Sequence, residues 1–407
     1  MNTRTMRPIR ETIPVAEARS LLMEAAVPID RIERAAIDNA AGRVLAGPVV
    51  SAIDVPPFDR AAMDGYAVIA EDTFGAGRHG PKVLRPVETI YTGTTPSRRI
   101  SAGECVEIAT GAPLPEGADA VVMVEETERT DDGNVRVFTP VYPGQHVGRR
   151  AADIATGQPV LPEGVVLNSG RIGVLAAIGA LEVDVYDKPR VSLLSTGNEI
   201  VEPGSPLAPG QIYDINRFTL SSIIVAHGGS VGFASTVPDT LPDLRRAIES
   251  AASADLIIFS GGSSVGERDL IVDVLQETGD VIFHGIAVKP GKPTILGKVR
   301  GKPVLGMPGN PTSCLSNAYV LLIPMLRKMA RLPEYVPRRV TVPLARRVVS
   351  TTGRHQIYTV RVTDGAAVPA FKGSSDITSM ALADGYIEIS SQTDIVEAGE
   401  MVEVKLF

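Results

Sequence analysis

Residues 255–311 read DLIIFSGGSSVGERDLIVDVLQETGDVIFHGIAVKPGKPTILGKVRGKPVLGMPGNP, and the fold of the chain turns on this stretch. The apolar run 256–259 has the length of a buried strand and opens directly into Ser260-Gly261-Gly262-Ser263-Ser264, after which an apolar-periodic helix begins near Asp269. Glycines there let a ligand approach the backbone, while hydroxyls and free amide N–H groups at a helix start suit an anion such as phosphate. The device returns where the short strand 304–307 runs into Pro308-Gly309-Asn310-Pro311 and a helix predicted over 312–329, with Pro311 in the first turn, where a missing N–H is tolerated. Between the two loops, Lys289-Pro290-Gly291-Lys292-Pro293 holds two ammonium groups on a backbone stiffened by proline. A Gly-Gly pair after a strand is also an ordinary tight turn, so one loop alone says little. Two loops and two lysines can share one ligand, because all three segments fall in turns beyond the carboxyl ends of strands, where open α/β sheets bind ligands.

Outward from this stretch, a chain of 407 residues has room for roughly two to four domains at about 100–200 residues each. A net charge of -7 speaks against a nucleic-acid partner, which calls for a basic face, and the absence of Trp removes the usual stacking platform. Cys105 and Cys314 stand far apart without ligand-spaced neighbours, so they suggest core packing and neither a zinc site nor a disulfide framework. The N-terminus lacks an apolar signal region and no 18-residue apolar run occurs, which leads to the expectation of a cytoplasmic protein without a membrane partner.

Taken in order, residues 15–26 predict an amphipathic helix with Val15, Ala18 and Leu22 on one stripe and Pro14 at its start. VPPFDRAAMDGYAV (55–68) is a stiff bend leading into a strand; by spacing alone, Asp59 and Asp64 read as turn-capping aspartates. Short strands at 88–91, 105–108, 120–124 and 135–138 predict a small all-β insertion, crossed by the proline-rich loop 109–119. A helix follows at 168–177, with Asn168 or Ser169 as its cap. From 190 the chain alternates strand (190–194), Ser195-Thr196-Gly197-Asn198-Glu199, helix (217–227), strand (230–234) and helix (241–254), which predicts a parallel sheet covered on both faces. After the proline-marked linker 332–337, alternation at Val340, Val342 and Leu344, at Tyr358, Val360 and Val362, and at Val402, Val404 and Leu406 predicts a small β-barrel or sandwich.

The ordered set FDRAAMDGYAV, ATGAPLPEGADAVV, STGNEI, SGGSSVGERD, AVKPGKP and GMPGNPTS resembles the molybdopterin molybdenumtransferases, the family that includes the gephyrin E domain, over essentially the whole chain. The resemblance implies a multidomain α/β plus β protein. Its expected parts are an elongated N-terminal and linking domain (1–50 and 144–186), a β-rich inserted domain (51–143), a doubly wound MoaB/MogA-like molybdopterin-binding domain (187–331) and a C-terminal β-barrel (332–407). It also implies a homodimer whose cleft forms between one subunit's α/β domain and the other's N-terminal region. The implied reaction takes adenylylated molybdopterin and molybdate, inserts the metal at the dithiolene sulfurs and releases AMP with the help of Mg2+. Partners on either side would be the adenylyltransferase and molybdoenzyme-maturation proteins.

Motif by motif, the resemblance implies catalytic roles for Asp59, Thr110, Asp153, Glu199, Asp239 and Asp269, with Glu199, Asp239 and Asp269 as carboxylates for the metal. Ligand contacts would come from Thr196, Gly197, Ser260, Gly261, Gly262, Ser263, Ser264, Lys289, Lys292, Pro308, Gly309, Asn310 and Pro311. Gly373-Ser374-Ser375-Asp376 approximates the family's glycine-serine segment and adds Ser374 and Ser375. Ala61 stands where a small hydroxyl residue is common, and Ser263 replaces the usual valine. Three other readings compete. The glycine-loop domain also occurs alone as an adenylyltransferase, and a gephyrin-like scaffold uses the same fold to bind partners. A nucleotide dehydrogenase would need a GxGxxG after its first strand, which this chain lacks.

Overall fold

The structure is a computed structural model and describes residues 11–261 and 270–407. Two compact units divide the chain: Arg34–Ala41 with Leu45–Asp184 form one, and the remaining residues the other.

The first unit is built on a six-stranded mixed sheet in the order Ala120–Met123, Gly65–Val68, Glu104–Ile108, Lys82–Ile90, Val135–Val137, Thr127–Arg129. Alternation sorts its side chains onto two faces. Tyr66, Val68, Cys105, Ala120 and Val122 join one buried cluster, while Ala67, Val106, Ile108 and Val121 join another. Helix Ser169–Ala177 begins at Asn168, whose side chain accepts from the Arg171 N–H at 3.0 Å.

The second unit carries the doubly wound sheet, ordered Ser230–Val237, Arg190–Thr196, Leu256–Gly261, Lys302–Met307, Ile295–Val299, Gly279–His284. Its first four strands are parallel. Ile295–Val299 runs antiparallel to both its neighbours, Lys302–Met307 and Gly279–His284, a departure from the parallel sheet expected. The cause is local and legible: Ile295–Val299 and Lys302–Met307 are joined by the two residues Arg300-Gly301 at φ +51° and +78°, the twist that a tight hairpin demands. Helices cover both faces, and the period of two divides the strands between them. Val191, Leu193, Leu256, Ile258, Leu305 and Met307 pack in the core that holds helices Val15–Ala25 and Asn216–Ala226. Leu194, Ile257, Phe259 and Val304 meet helices Leu241–Ser250 and Leu270–Thr278 on the other side.

The helix predicted over 312–329 is interrupted. Pro311–Asn317 is α-helical, Ala318–Leu322 winds as a π turn, and Ile323–Met329 resumes the α-helix. Pro324 has no N–H for the carbonyl four residues back, so the ladder loosens there, and the Val320 carbonyl accepts instead from Arg19 Nε at 3.1 Å.

The C-terminal strands close a circuit. Arg339–Pro343 pairs with Met401–Leu406, that strand with Gly385–Ile389, then with His355–Thr363 and Ala366–Pro369, and a Leu344–Ala367 bridge returns to the start. Leu344, Val360, Ala367, Ile387 and Val404 fill its interior, as the alternation predicts for a small barrel. Val288–Lys289 adds to this sheet in parallel, with Lys289 opposite Gln356. Among the described residues, no helix is long and apolar enough to cross a membrane.

Candidate active site

In the second unit the chain returns to Arg190–Thr196 from one side and passes to Leu256–Gly261 on the other, so the strand order reverses at their carboxyl ends. A crevice is expected at such a point. A cleft of about 1050 Å³ lies there, lined by Thr196, Glu199, Asp214, Asn216, Ser260, Gly261, Lys289, Lys292, residues 308–311, Arg354, Phe371, Ser374 and Ser375. Its walls combine apolar surface with convergent polar and charged groups.

The strand ends meet backbone to backbone. Gly261 stands at φ +101°, and a β-carbon there would lie 2.2 Å from the Thr196 carbonyl oxygen; one on Gly309 would lie 3.3 Å from Gly261 Cα. Only glycine permits both the dihedral and the approach. At the next loop, Pro311 opens its helix at the first position, and the residue that precedes it, Asn310, reaches across to the C-terminal segment. Asn310 Nδ2 donates to Ser374 Oγ at 3.2 Å, Ser375 Oγ donates to Asn310 Oδ1 at 3.1 Å, and the Thr312 N–H donates to the Ser374 carbonyl at 3.0 Å. Lys289 Nζ donates to Thr351 Oγ1 at 2.7 Å. Buried Asn317 fixes the lysine turn from beneath, donating to the Gly291 carbonyl at 2.9 Å and to Thr294 Oγ1 at 2.8 Å.

The sequence-predicted residues thus divide. Thr196, Glu199, Ser260, Gly261, Lys289, Lys292, Pro308, Gly309, Asn310, Pro311, Ser374 and Ser375 line one cleft, and Gly197, which does not line it, packs against the Glu199 carboxylate. Asp239 follows the strand Ser230–Val237 but does not line it; its N–H is 3.5 Å from Asn198 Oδ1. Gly262, Ser263, Ser264 and Asp269 lie outside the described residues.

Asp59, Thr110 and Asp153 belong to the other unit. There Asp59 accepts from the Arg150 N–H at 2.7 Å and from Arg149 Nη1 at 2.9 Å, and these bonds hold its carboxyl below the usual carboxylate range. Thr110 donates through both N–H (2.6 Å) and Oγ1 (2.8 Å) to Asp64 Oδ1, which lowers the Asp64 carboxyl in turn. Spacing suggests turn caps, but Asp64 is bonded by Thr110, 46 residues on, and Asp59 by Arg149, 90 residues on. Asp153 is exposed, its N–H bonded to the Val55 carbonyl at 3.0 Å.

Sequence reasoning missed Asp214 and Asn216. Asp214 is 3 % exposed; one oxygen accepts from the Arg217 N–H at 3.0 Å and the other is buried without a hydrogen-bond partner among the described residues. Asn216 is 7 % exposed and its Nδ2 bonds Ser260 Oγ at 2.7 Å. The available signal was the pair of Asx residues just ahead of a helix, which reads equally well as capping. Among the described residues, no group of three His, Cys, Asp or Glu could hold a metal. The carboxylates of Glu199 and Asp214 in one cleft do suit magnesium, a hard cation that keeps most of its waters and takes one or two carboxylates.

Comparison with known proteins agrees with this architecture. Residues 13–179 match the family model described as "MoeA N-terminal region (domain I and II)", residues 192–328 the "Probable molybdopterin binding domain" and residues 341–407 the "MoeA C-terminal region (domain IV)". The chain is 36% identical to molybdopterin molybdenumtransferase 2 of Mycobacterium tuberculosis, over 90% of this chain and 93% of that protein. It is 34% identical to the molybdopterin molybdenumtransferase of Haemophilus influenzae, over 96% and 98%. The crystal structure of the molybdopterin biosynthesis moea protein from Pyrococcus horikosii superposes with a TM-score of 0.83 at 40% identity, over 97% of this chain and 99% of that one. Six ordered motifs, a cleft at the strand-order reversal and full-length relatives agree: the chain belongs to the MoeA family of molybdopterin molybdenumtransferases.

Proposed function

We propose that this chain binds adenylylated molybdopterin in the cleft, cleaves its diphosphate linkage, inserts molybdate at the dithiolene sulfurs and releases AMP. The observation that carries the reading is convergence: anion-suited groups from Ser260, Lys289, Lys292, residues 308–311 and Ser374-Ser375 all line one cleft. A diphosphate asks for such a set, because cleaving a phosphoanhydride is mostly positioning and charge neutralisation. Lys289 and Lys292 answer the phosphate charge, while the hydroxyls of Thr196, Ser260, Ser374 and Ser375 orient the ligand. Bound magnesium would neutralise charge on the diphosphate; Glu199 would hold it, with Asp269 and the newly found Asp214 as further carboxylates and Asp239, outside the cleft lining, reaching it only through a bridging water. Asp59, Thr110 and Asp153 act on the N-terminal side, Asp59 by aiming the Arg149 guanidinium and holding the Arg150 backbone. The working protein is a cytoplasmic homodimer divided at residues 50/51, 143/144, 186/187 and 331/332, supplied by an adenylyltransferase and serving molybdoenzyme-maturation proteins.

The test supplies purified protein with adenylylated molybdopterin, molybdate and magnesium, and follows AMP. Release that depends on both molybdate and magnesium is expected. Consumption of ATP to form the adenylylated ligand would instead make the chain an adenylyltransferase, and a monomeric mass at full turnover would remove the dimer.

A further inference from the structure

The strands Leu256–Gly261 and Lys302–Met307 pair in register only as far as Ser260 opposite Met307. One residue later the ladder has no donor to offer from the second chain segment, because residue 308 is proline. Yet the loops that follow, Ser260-Gly261 and Pro308-Gly309, stay in contact, with Gly309 against Gly261 Cα. The tie between them comes from a third segment. Asn216, at the start of helix Asn216–Ala226, donates from one Nδ2 to Ser260 Oγ at 2.7 Å and to the Gly309 carbonyl at 2.8 Å, with the Pro308 carbonyl at 3.4 Å. The amide can point only one way, since a flip would set its Oδ1 against two carbonyl oxygens. Oδ1 itself is buried with no hydrogen-bond partner among the described residues.

We infer that Asn216 is a positioning residue for the reaction: it takes over where the strand ladder stops and sets the spacing of the two loops that grip the phosphate-bearing half of the substrate. The inference rests on the reading of the cleft as the adenylylated molybdopterin site.

Asn216→Asp keeps the shape but turns the donor into a carboxylate facing two carbonyl oxygens. Burial and those oxygens raise its pKa above the ordinary carboxylate range, and once protonated it can donate again. AMP is the probe, titrated calorimetrically from pH 6 to pH 8.5 into wild type, Asn216→Asp and Asn216→Ala, with AMP release measured in parallel. Relative to wild type, Asn216→Asp should bind AMP about tenfold more weakly at the alkaline end, the equivalent of about 1.4 kcal/mol, and recover as pH falls. Asn216→Ala should be weakened by a similar factor at every pH, and it stands in if the aspartate variant does not fold. A residue that merely supports the fold would lower the melting temperature without this pH signature. Wild-type binding with variant ratios near one at all pH values overturns the inference alone. Wild-type protein that neither binds AMP nor releases it from adenylylated molybdopterin overturns the assignment of the cleft and the inference with it.

Discussion

Replacing Gly261 with alanine tests how tightly the cleft floor is built. At φ +101° a non-glycine residue is strained by roughly 1–2 kcal/mol. The added carbon would also stand 2.2 Å from the Thr196 carbonyl oxygen, closer than the 3.0 Å below which real contacts are essentially absent. The two strand ends must therefore part by at least about 0.8 Å, an overpacking cost of roughly 1–3 kcal/mol. Together these give a loss of about 2–5 kcal/mol in stability. A displacement near 1 Å at a site that works by positioning costs about a hundredfold in rate. Gly301→Ala is the control, because φ is +78° there but nothing lies within 4 Å of the new carbon, so only the dihedral cost of roughly 1–2 kcal/mol applies. Thermal unfolding and AMP release are measured on both variants. If Gly261→Ala melts no lower than Gly301→Ala and turns over within about twofold of wild type, the close approach of the strand ends does not govern the site, and the reasoning is refuted.

The barrel offers a pH test. Burial pushes the Glu388 carboxyl up, but His355, Lys405 at 2.8 Å and Arg19 outweigh it and hold the group at about 2. A depressed folded pKa stabilises above the ordinary value of 4.5 and is lost as pH falls toward 2, so Glu388→Gln should cost on the order of 3 kcal/mol at pH 7, with the gap to wild type closing in acid; a gap constant from pH 7 to pH 3 contradicts this. Lys289→Ala with Lys292→Ala should weaken AMP binding by roughly 1.5–3 kcal/mol per lost charged hydrogen bond, and unchanged calorimetric affinity would mean the lysines do not meet phosphate. Asp59→Asn keeps an acceptor for the Arg150 N–H but loses the charge toward Arg149, so AMP release should fall while stability changes by less than about 1 kcal/mol, as befits a half-exposed pair. The opposite pattern, normal turnover with a large drop in melting temperature, would leave Asp59 as a turn cap.

Local regularities carried most of the element assignment. The strand-length apolar run LIIF (256–259), the stripe Val15, Ala18, Leu22 and the Asx cap at Asn168 all depend on neighbours within a few residues, so each could be read before any tertiary contact was known. Even the departures had local signatures, Arg300-Gly301 for the hairpin and Pro324 for the π turn. The motif matches likewise singled out Ser260, Lys289, Lys292 and residues 308–311, because glycine, proline and lysine state what their backbone and charge can do.

Tertiary structure decided which of these groups share a ligand. Nothing near Lys289 announces that its strand pairs with His355–Thr363, and nothing near Ser374 announces the bonds to Asn310 and Thr312. Asn216 looked like one more helix-start residue until the strand order brought Ser260 and Gly309 to its amide. Asp239 was assigned to the site by resemblance yet does not line the cleft. The physical reason is that backbone preference is a property of a few adjacent residues, whereas convergence depends on the order and register of distant strands, and those are chosen by the burial of whole faces that no single segment contains.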